Sequence, residues 1–129
     1  MDIQYKILVL VVLALILYFF IRNSYSYLRK RRFIHGRNST SLETMHDQYF
    51  SDIPEGEFNI VWCAVSSKLG IDAGILRPED TIKDLMKLYP IPEHVYDDLE
   101  EVILEYGKDS NFLSDEITIE QIVRNISNL

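Results

Sequence analysis

Three histidines, one cysteine and several clustered carboxylates are the side chains of this 129-residue chain with types suited to catalysis or metal binding. His35, His46 and His94 stand apart from one another, and none has a His, Cys or carboxylate partner at a ligand spacing such as H-E-x-x-H. No G-x-S-x-G elbow, P-loop or G-x-G-x-x-G turn is present. Cys63 falls between apolar positions of a helical pattern, which predicts a small packed hydrophobe rather than a nucleophile. A single thiol also excludes an internal disulfide framework and any Cys-cluster zinc site. Asp72, Asp80 and Asp84 lack the D-x-D-x-D-G order of a calcium loop. The expectation is a protein that is not an enzyme and holds no metal or cofactor.

The carboxylates say more. Residues 93–106 hold Glu93, Asp97, Asp98, Glu100, Glu101 and Glu105 and no Lys or Arg. On a helix, Glu93/Asp97, Asp97/Glu101 and Glu101/Glu105 are like-charged i,i+4 neighbours, each costing about 0.2–0.5 kcal/mol. Glu93 is compensated by the positive end of the helix dipole, but Glu101 and Glu105 lie near its negative end. A solvated face is one reading. A basic partner protein, steered by this row, better explains acids kept at a cost.

Charge divides the chain. Residues 1–37 carry seven Lys or Arg and one acid, whereas residues 38–129 carry six Lys or Arg and 19 acids; the total is −7. Residues 7–21 (ILVLVVLALILYFFI) contain no polar side chain except the Tyr18 hydroxyl. As a helix this run is roughly 22 Å long, short of the ~30 Å hydrocarbon core. Ile3 and Tyr5 extend it, and Lys6 and Arg22 can snorkel to the two interfaces. A retained signal-anchor is therefore expected, with a cleaved signal peptide and a buried core helix as the alternatives. Arg22, Arg29, Lys30, Arg31 and Arg32 follow the run, so the positive-inside rule places the C-terminal part in the cytoplasm. The LRKRR stretch then reads as a lipid-headgroup contact rather than a nucleic-acid patch. Cytoplasmic placement would silence the sequons at Asn38 and Asn125.

Residues 28–52 read as a basic juxtamembrane segment and a polar linker, with some helix near 42–50. Beyond it the pattern is helical. Phe58, Val61, Trp62, Val65 and Leu69 predict a helix from Pro54 to a Gly70 cap. A long loop with a short turn near 81–85 leads to a helix after Pro92, striped by Val95, Leu99, Val102, Ile103 and Tyr106 and ended by Gly107. Thr118-Ile119-Glu120-Gln121 is a capping box for a last helix with Ile119, Ile122, Val123 and Ile126 inside. The fold class expected is all-α: a transmembrane anchor (1–27), a juxtamembrane linker (28–52) and an acidic helical bundle (53–129).

Over 58–126 the chain resembles an acyl carrier protein. The likeness rests on Leu69-Gly70-Ile71, Pro78-Glu79-Asp80-Thr81, Asp84-Leu85, Leu99-Glu100-Glu101 and the helix opened by Ile117-Thr118-Ile119-Glu120-Gln121-Ile122-Val123. The Asp84-Leu85 to Leu99-Glu100-Glu101 separation matches the family's spacing without a gap. In that register the serine that takes the phosphopantetheine arm is replaced by Tyr89, and no Ser or Thr lies between Thr81 and Ser110. The resemblance thus implies a carrier-like fold and an acidic docking helix, not acyl carriage. The expected function is a membrane-anchored, non-catalytic interaction module whose partners are the lipid bilayer and a protein with a basic surface, with no nucleic acid. The alternatives are an atypical carrier acting at the membrane and an accessory subunit of a membrane complex.

Overall fold

The computed structural model describes residues 2–127, and these are all-helical: α1 (Ile3–His35), α2 (Leu42–Tyr49), α3 (Glu55–Leu69), α4 (Ile82–Met86), α5 (Glu93–Glu105) and α6 (Ile119–Ser127). α1 is 33 residues long, or about 50 Å at 1.5 Å per residue, and is long and apolar enough to cross a membrane. Its most apolar window is wholly exposed, which sets aside the core-helix alternative.

α1 does not stop where the apolar run stops. Leu, Arg and Lys are good helix formers, and neither Gly nor Pro interrupts the chain before Gly36, so the helix continues through the basic stretch to His35. There the folded domain packs against it. Ser26 is buried and its Oγ donates to the Leu88 carbonyl at 2.7 Å. Phe33 and Ile34 lie half-buried on the core. Arg37, just past the helix, donates from both terminal nitrogens to Asp80 (2.7 and 2.6 Å).

The linker expected over 28–52 is thus part of the folded unit. Ser41 caps α2, its Oγ accepting from Thr44 N at 3.1 Å. Met45 and Phe50 enter the core, and Leu42 is half-buried against it. Three apolar side chains among many polar ones gave too weak a period to show this in the sequence.

α3 packs against α5 and α6. Its expected stripe is buried, and Phe58, Trp62 and Phe50 form an aromatic cluster with centroids 4.8–5.7 Å apart. Trp62 Nε1 donates to the Ala73 carbonyl at 2.8 Å. Cys63 is exposed, contrary to expectation. At 100° per residue it points roughly two fifths of a turn away from the centre of the stripe, so position between core residues does not bury it. Gly70 and Gly107 carry positive φ (68° and 71°) at the ends of α3 and α5, the left-handed geometry for which glycine was expected there. The inner faces of α5 (Val95, Leu99, Val102, Ile103) and α6 (Ile119, Ile122, Val123, Ile126) are buried, but Tyr106 lies past the end of α5 and is exposed.

The two long loops hold each other. Ile82 N donates to Ile117 O (3.0 Å), Lys83 N to Asp115 O (2.8 Å) and Ile119 N to Asp80 O (2.8 Å), around a Thr81–Thr118 bridge. α4 is capped by Thr81, and the α6 capping box closes reciprocally, with Thr118 N to Gln121 Oε1 and Gln121 N to Thr118 Oγ1. Arg124 joins α6 to the chain after α2, donating to Asp52 (2.7 Å) and to the Tyr49 carbonyl (2.6 Å).

His46 joins α2 to the turn before α3. Its Nε2 lies 2.5 Å from the Ile53 carbonyl, and Nδ1 is at ion-pair rather than hydrogen-bond distance, 3.5 Å, from Asp47. The Ile53 carbonyl, aided by Asp47 and Glu55, raises the imidazole above 6.5. A raised folded-state pKa means the stabilisation is complete below 6.5 and is lost as pH climbs through the folded value. Urea midpoints should therefore fall with rising pH across that interval. His46→Gln, which cannot titrate, should remove this component; an unaltered pH slope in the variant would assign it to other groups.

Candidate functional site

The six acids of the candidate docking row all lie on α5, a helix formed because its four inward aliphatic residues bury against α3 and leave the opposite face to water. Glu93, Asp97, Glu100, Glu101 and Glu105 are exposed; Asp98 is half-buried at the edge. One cation from the neighbouring helix reaches them. Lys68 Nζ sits 2.8 Å from Glu101, and its pKa is raised first by that bond and further by Asp98 and Glu105.

Leu104 is the residue that sequence reasoning passed over. It is 56% exposed, and helical spacing puts it three residues from Glu101, four from Glu100 and seven from Asp97, at the middle of the acidic face. Its signal was available. Leu104 breaks the buried stripe of α5 and falls among the acids on a helical wheel. An exposed leucine ringed by carboxylates combines an apolar anchor with an electrostatic rim.

Tyr89, at the expected serine position, lies four residues before the first residue of α5. It is half-buried, and its hydroxyl donates to the Leu69 carbonyl at the end of α3. Burial, helped by the Asp98 charge, pushes the phenol up to about 12, so it remains a neutral donor. Lys30 of α1 lies 5.1 Å from the ring centroid. This side chain joins α3 to the α4–α5 connection, with its hydroxyl committed to the Leu69 carbonyl.

The cations expected at the membrane interface are on α1. Lys6, Arg22, Arg29, Arg31 and Arg32 are exposed, and Lys30 is half-buried against the domain. Arg29 stacks over Tyr25 at 4.7 Å. Among the described residues no group of three His, Cys, Asp or Glu is placed to hold a metal ion. Comparison of the chain with protein families, with curated proteins and with solved structures finds no match.

Proposed function

We propose that this protein is a membrane-anchored, carrier-like helical module that does no chemistry and docks a basic partner protein through α5. The observation that carries the reading is the exposed face of α5, which presents five carboxylates together with Leu104. Tyr89 supports the non-carrier part of the reading, because its hydroxyl is committed to the Leu69 carbonyl. α1 crosses the bilayer, and the bases from Arg22 to Arg37 hold the bundle on the cytoplasmic side.

Charge reversal tests the docking face. Asp97→Lys with Glu100→Lys, and separately Leu104→Ser, leave the Lys68–Glu101 pair and the core intact. Each variant should reduce capture of the wild type's salt-sensitive partner from solubilised membranes at least tenfold, an effect of about 1.4 kcal/mol. Capture undiminished in both variants would reject docking through α5. Co-expression with a broad phosphopantetheinyl transferase should leave the intact mass unchanged, and the gain of one arm would restore the carrier reading. Orientation has its own probe, since the lone thiol, Cys63, is exposed. A membrane-impermeant maleimide should label it only after permeabilisation, and labelling of intact cells would place the bundle outside.

A further inference from the structure

Where α1 meets the domain, a cleft of about 670 Å³ opens between the helix and the α4–α5 connection. Four cations line it from two separate parts of the chain: Arg22 and Arg29 from α1, Lys83 from α4 and Lys87 just after α4. One carboxylate, Asp115, is present, and its Oδ1 already accepts from the Tyr96 hydroxyl. Among the described residues none of the four cations has an acidic partner within ion-pair distance. The remaining wall is apolar and includes Tyr18 and Ile21, which belong to the continuous run that makes α1 long enough to cross a membrane.

The height of the cleft is set by α1. Ser26, where the domain first grips the helix, is four residues beyond Arg22, or about 6 Å along the axis. Arg22 is the interfacial residue at the end of the apolar run, so the cleft lies in the headgroup layer with its apolar wall running down toward the acyl chains. A free anion would use the cations and leave the Tyr18–Ile21 wall empty. A bilayer lipid uses both.

We propose that this cleft is a binding site for one anionic phospholipid of the leaflet facing the domain. Its phosphate is held by Arg22, Arg29, Lys83 and Lys87, and one acyl chain lies along Tyr18 and Ile21. The inference rests on the membrane-anchored reading of α1. It assigns Lys83 and Lys87, which the docking model leaves unused, to seating the domain on the bilayer.

Full-length protein in an uncharged detergent, offered phosphatidylglycerol or phosphatidylcholine and examined by native mass spectrometry, should retain one phosphatidylglycerol in preference to phosphatidylcholine. Lys83→Gln with Lys87→Gln changes only exposed positions of the short helix and its cap. At about 1 kcal/mol per basic residue near a lipid surface, this pair should lower phosphatidylglycerol retention by roughly 25-fold. Equal retention of the two lipids, or unchanged retention in the variant, would overturn the site. Displacement of the lipid by millimolar inorganic phosphate would also overturn it, by reassigning the cleft to a free anion. Flotation with neutral vesicles tests the anchor independently: flotation without lipid selectivity rejects the cleft alone, and failure to float rejects the span beneath it.

Discussion

Replacing Phe50 by alanine should remove about 3–5 kcal/mol from the stability of the bundle, the usual range for deleting a buried aromatic ring. Phe50 is fully buried, stacks on Phe58 at 4.8 Å, touches Trp62 at 5.7 Å and carries the Arg124 guanidinium at 5.2 Å. None of those neighbours can move in to fill the space, because Phe58 and Trp62 are held on α3 and Arg124 is committed to Asp52 and Tyr49. A small domain with total stability near 5 kcal/mol would be left close to unfolded. Trp62 is the single tryptophan, so its fluorescence in urea, measured on the full chain in detergent, reads the effect directly. Tyr49→Ala is the internal control. It alters a neighbouring but exposed side chain and keeps the backbone carbonyl that Arg124 uses, so it should stay within about 0.5 kcal/mol. A small effect at Phe50 would mean that residues 42–50 are a tether after all.

Removing the Asp80 carboxylate should be nearly as damaging, at about 3 kcal/mol, because it strands a guanidinium and a backbone donor together. Asp80 accepts from both terminal nitrogens of Arg37 and from Arg77 N at 2.9 Å, and its side chain is only 4% exposed. Arg37 also lies 3.8 Å over the Phe33 ring, so the pair fixes the end of α1 to the loop ahead of α4. Asp80→Ala should lower the urea midpoint and make the 36–41 segment a preferred site for limited proteolysis. Arg37→Ala should weaken the fold in the same direction by leaving a buried carboxylate. The double variant Arg37→Met/Asp80→Leu should recover much of the loss, since no charge is then left unpaired. If Asp80→Ala unfolds like the wild type and cleavage is unchanged, the bundle is not clamped to α1 at this point.

These two residues also mark where sequence reading stopped. The three longer helices after Pro54 were legible because each carries its own signal: an apolar stripe at helical spacing, a glycine or proline at an end, or a reciprocal cap such as Thr118 with Gln121. The acidic row was legible for the same reason, since one helix supplies all six carboxylates. Leu104 was within reach on a helical wheel. Cys63 was misplaced because order along a chain is not angle around a helix.

The sequence alone determined the long apolar helix, the split between a basic first part and an acidic remainder, the main helical segments and their glycine ends. Each is a property of neighbouring residues, set by propensity, period and local charge. Tertiary structure alone decided that the domain packs onto α1 at Ser26 and that Phe50 belongs to the core. It also decided that Arg37 meets Asp80, and that Arg22 and Arg29 face Lys83 and Lys87 across one cleft. The charged groups brought together in this way lie 43 to 65 positions apart, and they meet only when burial of the shared apolar core has brought distant segments together.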